Sequence, residues 1–118
     1  MFEADNVRDW RGHNVIDPEG DKIGTLEAIY VDTATDVPAF ATVQVGMVGR
    51  HRLVFVPLGH ATVGPNYLRV QVPKRLAKDA PAIDTDGELL AEQEPAVFEH
   101  YSLTYQPGAG GERRLARR

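Results

Sequence analysis

The sequence predicts a mainly β domain, a small antiparallel β-barrel that is followed by one or two short helices. Three observations predict this fold. Apolar and polar residues alternate along several short segments, as in strands that bury one side. Turn-forming residues separate these segments roughly every ten residues, a spacing typical of small barrels and sandwiches. The helical pattern begins only after Pro73.

The first two strands form a predicted hairpin. Residues 15–17 are a short strand, and residues 18–21 are a tight turn in which proline presets φ and glycine accepts a positive φ. Residues 23–31 resume as a strand of which neither face is uniformly polar, as expected in a small closed sheet. Gly24 indicates a sharp bend or the close approach of another backbone.

After a turn at residues 32–38, the segment 39–48 alternates well and predicts a third strand. Its expected core face consists of Ala41, Val43, Val45 and Met47. Residues 49–52 form a predicted basic hairpin tip. Three further strands are predicted at residues 53–56, 60–63 and 67–72, the first of them ending at Pro57.

The C-terminal part changes character. Residues 74–80 predict a short helical turn, and Asp86 is the expected N-cap of a helix over residues 87–94. Pro95 either kinks this helix or begins a new one as its first residue, and residues 96–101 continue as a helix. The predicted domain spans residues 5–103. Residues 104–118 are the predicted flexible basic tail, and the alternative for its arginines is contact with an anionic surface.

Composition limits the function. The 118 residues form one domain and include no cysteine, which excludes disulfides and thiolate chemistry. No apolar run reaches the roughly 20 residues that a membrane span needs, and the acidic N-terminus lacks a signal-peptide pattern. We therefore expect a cytoplasmic protein. The net charge of −4 divides into +3 for residues 107–118 and −7 for the remainder, which argues against a broad nucleic-acid surface.

Three carboxylates, Asp17, Glu19 and Asp21, lie within five residues and resemble part of a calcium loop. The bidentate glutamate that would follow in such a loop is absent, so the hairpin-turn interpretation is favoured. The four histidines lack the close spacing of metal ligands. Ser102 and His100 are two positions apart and diverge on a helix. We therefore expect no catalytic residue, no metal and no cofactor.

The order and spacing of several segments resemble the PRC-barrel domain family. The segments that carry the resemblance, which covers roughly residues 5–103, are residues 7–12, 15–24, 29–32, 55–58 and 98–103. The resemblance implies a small, mostly antiparallel β-barrel. It also implies a docking or assembly role, because the family includes the cytoplasmic part of a photosynthetic reaction-centre subunit and half of a ribosome-maturation factor. It transfers no catalytic residue.

The leading hypothesis is therefore a non-enzymatic protein-interaction module that self-associates, most simply as a homodimer. Leu26 with Ile29, and Phe40 with Val43, are apolar pairs that cannot all enter one small core, so some should face a partner. The alternatives are an RNA- or ribosome-associated factor, and a barrel that binds a small molecule or a metal in its interior.

The residues predicted to mediate interaction are aromatic side chains and the basic hairpin tip: Arg50, His51, Arg52, Phe55, Tyr67, Phe98 and Tyr101. The tip could hold a phosphate, an RNA backbone or an acidic partner, because guanidinium groups suit such anions, or it could simply keep an exposed turn soluble. If the C-terminal helix caps the barrel, Phe98 and Tyr101 would instead be structural, together with Val97.

Overall fold

The protein is described by a computed structural model that covers residues 11–46, 51–83, 89–105 and 114–117. It confirms a mainly β fold. The elements in chain order are β1 (Asn14–Ile16), β2 (Lys22–Asp32), β3 (Pro38–Val45), β4 (Arg52–Pro57), β5 (Thr62–Val63), β6 (Tyr67–Arg69), α1 (Lys74–Lys78), β7 (Ala82–Ile83), a 3-10 turn (Ala91–Gln93), α2 (Glu94–His100) and β8 (Leu115–Arg117).

The described strands form one mixed sheet in the order β5-β6-β1-β2-β3-β4-β7, with β8 also paired to β2. β1 and β6 run parallel, and the other neighbouring strands run antiparallel. No pairing among the described residues joins β5 to β7, so the prediction of a closed antiparallel barrel is not confirmed. The two end strands have two residues each, which leaves little backbone to close the sheet by hydrogen bonding.

β2 is the longest strand and organises the sheet. β3 pairs along one of its edges from Thr25 to Val31. On the other edge, β1 pairs with the first residues of β2, and β8 pairs with Tyr30–Asp32. The register shifts within the β2–β3 and β1–β2 pairs. Such irregularities bend a strand and turn its side chains, which allows β2 to supply buried side chains to both faces of the sheet.

Two hydrophobic cores result. The first core contains Leu26, Ile29 and Val43, among others, and the second core contains Tyr30, Phe40 and Phe55. The apolar pairs that appeared too numerous for one core are all buried, because they are divided between these two clusters. The surplus of apolar side chains is therefore accounted for within one chain, and the sequence argument that it must face a partner is wrong.

The second core is closed by C-terminal segments. Leu89, Val97 and Leu115 are each at most 2% exposed and pack into it. The ring of Phe40 meets that of Phe98 edge-to-face, with centroids 5.1 Å apart. Each face of the sheet is thus covered, which the prediction of a single barrel core did not anticipate.

Two predictions for this region need correction. Leu89 and Leu90 are not helical, and α2 begins at Glu94, so Pro95 is the second residue of a new helix and not its first. The predicted cap Asp86 lies outside the described residues. The prediction of a flexible tail is wrong for β8, because its buried Leu115 fills the second core and its backbone pairs with β2.

A buried carboxylate holds β8 in place. Glu94 is fully buried, and its oxygens accept the backbone N–H groups of Arg114 and Leu115, each at a shortest distance of 2.8 Å. Tyr105 donates its hydroxyl to the same carboxylate at 2.8 Å. Arg114 also donates to Asp32 at 2.8 Å. These bonds satisfy a charge that would otherwise be very costly to bury, and they connect α2 to the C-terminal strand.

None of the helices in the described ranges combines the length and the hydrophobicity that crossing a lipid bilayer requires.

Candidate interaction surface

Helix α1 is held by three side chains from other parts of the fold. Its five residues are too few to form a stable isolated helix. Asp17 accepts the Lys74 N–H at 3.2 Å, Arg52 donates to the Lys78 carbonyl at 2.7 Å, and His100 donates to the Leu76 carbonyl at 2.7 Å. The three bonds fix the orientation of the helix, and therefore the direction in which its charged side chains leave the surface.

Asp17 also forms the turn between β1 and β2. One of its carboxylate oxygens accepts the backbone N–H groups of Glu19 and Asp21, both at 2.9 Å. Gly20 completes the turn with a φ of +91°, a conformation that favours glycine. Because backbone donors occupy both carboxylate oxygens of Asp17, the geometry confirms the turn interpretation of this acidic segment.

The pKa of Asp17 reflects two opposing effects. Burial of the side chain would raise the pKa, because it disfavours the charged form. The hydrogen bonds from the backbone N–H groups of Asp21, Lys74 and Glu19 outweigh burial and hold the pKa below its ordinary value. Asp17 is therefore a charged structural cap that joins the turn to α1.

A first groove, of about 600 Å³, separates the acidic turn from α1. Its walls carry both signs of charge. Glu19, Asp21 and Asp79 contribute carboxylates, whereas the cations come from α1. Such a mixed surface suits a partner that offers complementary charges of both signs. The positive wall consists of Lys74, Arg75 and Lys78.

A second groove, of about 390 Å³, adjoins the first at Lys78. It lies where β2 begins and β3 ends. The polar side chains that line it are Lys22, Thr25, Gln44, His51 and Lys78. Every one of them can donate a hydrogen bond, and no carboxylate belongs to the described lining.

Five cations lie in or beside the two grooves without an ion pair: four line the grooves, and Arg52 donates to the Lys78 carbonyl next to them. Within the described part of the chain, no carboxylate lies at ion-pairing distance from these side chains, whereas Arg114 pairs with Asp32 and Arg117 with Glu27. The five are Lys22, Arg52, Lys74, Arg75 and Lys78. Together with the carboxylates of the first groove, they give this part of the structure a surface of mixed charge. We call it the α1 surface.

The structure divides the residues that were predicted to mediate interaction. His51 and Arg52 lie at the α1 surface, and both are exposed. Gln44 Nε2 lies 2.6 Å from His51 Nδ1. Arg50 lies outside the described residues. Of the predicted basic tip, His51 lines the second groove, and Arg52 contacts the C-terminal end of α1.

The predicted aromatic residues lie elsewhere. Phe55 is fully buried in the second core, so its prediction as a surface residue is wrong. Phe98 and Tyr101 pack against the same core, and the Tyr101 hydroxyl donates to the Phe55 carbonyl at 2.6 Å. The alternative in which these two residues are structural agrees with this packing. Tyr67 is half-buried in β6, with the guanidinium of Arg69 6.0 Å from its ring centre.

Sequence reasoning missed the cations of α1. The local pattern of Lys74, Arg75 and Lys78 predicts only a short helical turn. Their spacing did contain a signal, because positions i and i+4 lie on the same side of a helix, and Lys74 and Lys78 have this relationship. Their proximity to Lys22 depends on the tertiary fold and has no counterpart in the linear sequence.

Comparison with protein families agrees with this architecture. Residues 2–77, nearly two thirds of the chain, match the PRC-barrel domain. This chain belongs to the PRC-barrel family. The matched part of this PRC-barrel protein contains β1 to β6 and most of α1, whereas α2 and β8, which close the second core, follow it. The resemblance seen in residues 98–103 lies beyond the match. No curated protein was found to match the sequence.

Proposed function

We propose that this PRC-barrel protein is a non-enzymatic, cytoplasmic interaction module that docks another protein on its α1 surface. The observation that carries the proposal is the group of cations at two adjoining grooves that have no carboxylate partner among the described residues. Exposed charges of this kind can form ion pairs with a second molecule. Such complementary charges increase the association rate and select the partner.

The way in which α1 is anchored also supports docking. Asp17, Arg52 and His100 hold its backbone from the β1–β2 turn, from β4 and from α2. A surface whose backbone is fixed before binding loses less conformational entropy on association. The cations of α1 therefore stand on a preorganised support.

The sequence argument for self-association does not hold in the structure. The apolar residues that were expected at a dimer interface fill the two cores. Among the described residues, the exposed large apolar side chains lie in four different segments and are Val37, Val63, Leu90 and Leu103. We therefore propose a different protein as the partner. Multi-angle light scattering tests this choice, and a mass of twice the 13.0 kDa monomer would restore the homodimer.

An RNA partner is the second candidate, because the α1 surface supplies more cations than the hairpin tip alone. Against it, Glu19, Asp21 and Asp79 line the same groove as the α1 cations. A nucleic-acid backbone carries a charge at every step and binds best to a continuous basic stripe. The presence of both signs of charge in this groove favours a protein.

Site-specific photo-crosslinking in the native cytoplasm tests the proposal. One variant carries a photoreactive amino acid at the position of Arg75, on α1, and its matched control carries the same group at Arg69, in β6. We expect a discrete protein adduct from position 75 that is absent from position 69. Adding Lys78→Glu to the first variant should reduce the adduct. Equal adducts from both positions, or nucleic acid alone at position 75, would contradict the proposal.

A further inference from the structure

We infer that the second groove is a binding site for a phosphate-class dianion, either free phosphate or the phosphoryl group of a phosphorylated side chain. This inference stands apart from the proposed docking function, because free phosphate alone would satisfy it. It rests on the chemistry of the groove lining, on the strand register that brings the donors together, and on the absence of carboxylates from that lining as far as it is described.

The strand register places two of the donors side by side. Thr25 on β2 and Gln44 on β3 are direct cross-strand partners. Directly opposed residues of an antiparallel pair point to the same face of the sheet, with their Cβ atoms about 5 Å apart. A hydroxyl and a carboxamide therefore flank each other on one wall of the groove.

His51, the residue that precedes β4, adds a further donor. The Gln44 side-chain N–H donates to His51 Nδ1 at 2.6 Å. A neutral imidazole that accepts at Nδ1 carries its proton on Nε2, so the ring retains one donor for a ligand. The imidazole and the carboxamide are thereby held together on the wall that β3 and the start of β4 build.

The positive charge comes from two lysines on different elements. Lys22 begins β2 and Lys78 ends α1. Both are exposed and have no carboxylate partner among the described residues. An ammonium group binds phosphate as a point charge with rotatable donors, and two of them can approach a dianion from different directions. The Arg52 bond to the Lys78 carbonyl fixes the backbone from which one of them extends.

The backbone at the base of the groove is closely packed. A Cβ atom at Gly24 would collide with the Gln44 carbonyl oxygen and crowd a Val43 methyl group. Only glycine allows β2 and β3 to approach this closely at that point. The groove volume of about 390 Å³ falls within the usual range for small-ligand sites, so it accommodates a phosphoryl group with the residue that bears it.

The surroundings favour one dianion over a chain of phosphates. A polyanion that left the second groove past Lys78 would enter the first groove, where Glu19, Asp21 and Asp79 lie. These carboxylates would repel the next phosphate. A single phosphoryl group on an otherwise uncharged segment meets no such repulsion.

Titration monitored by amide NMR tests the inference. Inorganic phosphate and O-phosphoserine are added to the full chain at constant ionic strength, with chloride as the reference salt. We expect saturable shifts that are concentrated at Thr25, Gln44, Gly46 and His51. The double variant Lys22→Ala/Lys78→Ala should weaken binding about tenfold, given the modest energy of each exposed charge pair. Lys74 lines only the first groove. The control Lys74→Ala should therefore change the affinity for phosphate by less than about twofold.

The outcomes separate the possible ligands. Tighter binding of O-phosphoserine than of phosphate supports a phosphorylated side chain, and the reverse order supports the free anion. Shifts that do not saturate, or that chloride reproduces, would overturn the inference. The inference would also be overturned if oligouridylate bound more tightly than both small ligands, and if the double variant and Lys74→Ala lost equal amounts of affinity for it. Dispersed spectra of the variants verify that they are folded, and Gln44→Ala offers a second test that leaves the charge unchanged.

Discussion

The carboxylate of Glu94 accepts the backbone N–H of Leu115 at 2.8 Å, although the two residues are 21 positions apart. Both residues are fully buried. The bond connects the start of α2 with the strand β8, and both elements lie after the part of the chain that matches the PRC-barrel domain. The second core of this protein therefore depends on a polar anchor as well as on apolar packing.

Replacing Glu94 tests the importance of this anchor. In Glu94→Gln, an amide group faces the N–H donors of Arg114 and Leu115, so charge-assisted bonds are lost. We expect the free energy of unfolding to fall by about 2 kcal/mol, the usual contribution of a hydrogen bond to a charged group. Urea denaturation measures the change. Glu92→Gln, at an exposed position in the preceding 3-10 turn, is the control and should change stability by less than about 0.5 kcal/mol.

Phe55→Ala distinguishes a core residue from an interface residue. Phe55 is fully buried, and the centroid of its ring lies 4.9 Å from the ring centroid of Tyr30. Truncation to alanine should therefore destabilise the protein by about 3–5 kcal/mol. Thermal unfolding measures the loss. Leu103→Ala, at a position that is 43% exposed, should have a much smaller effect. A Phe55→Ala protein as stable as wild type would contradict the assignment of Phe55 to the second core.

Gly24 and Gly59 offer a matched pair of glycines. A Cβ at Gly24 collides with the backbone of Gln44, whereas a Cβ at Gly59 meets no atom within 4 Å. Gly24→Ala should lower stability by about 1–3 kcal/mol through overpacking, and Gly59→Ala should be nearly neutral. Chemical denaturation of both variants under identical conditions checks this. Equal effects at the two positions would show that β2 and β3 can separate at little cost.

Lowering the pH should reveal how much the charged form of Asp17 contributes to the stability of the fold. Its pKa in the folded protein lies below the ordinary value, because backbone N–H bonds from Asp21, Lys74 and Glu19 outweigh the opposing effect of burial. The charged form is thus favoured by folding, and its stabilisation is fully present above the unfolded pKa of about 3.9. It disappears as the pH falls further through the folded pKa.

Unfolding measured between pH 7 and pH 2 tests this direction. The stability difference between wild type and Asp17→Asn should be constant from pH 7 to about pH 5 and should shrink below about pH 4. Glu19→Gln is the control, since Glu19 is exposed and bonds to Asp17 through its backbone N–H. A difference that grows on acidification would show that the pKa is raised in the folded protein.

Several parts of the fold were predictable from local sequence alone. The alternation in residues 39–48 correctly indicated that Ala41, Val43 and Val45 are buried, because side chains on a strand point to alternate faces. The β1–β2 turn followed from its proline, glycine and carboxylates. Pro95 lies in the first turn of α2, a position at which helices tolerate proline.

The burial of Phe40, Thr42 and Phe55 was not predictable in this way. Alternation identifies two faces of a strand but does not reveal that both are covered. The cover comes from Leu89, Val97 and Leu115, and their pairing with this face depends on contacts across long stretches of chain.

The sequence by itself determined the mainly β class, the positions of the long strands and the family, because alternation, turn chemistry and segment order are local properties. Only the tertiary structure decided that the sheet supports two cores, that Glu94 anchors a C-terminal strand, and that Lys22, Arg52 and the cations of α1 share one surface. Strand register and helix docking bring these groups together, and both depend on long-range packing that no local pattern specifies.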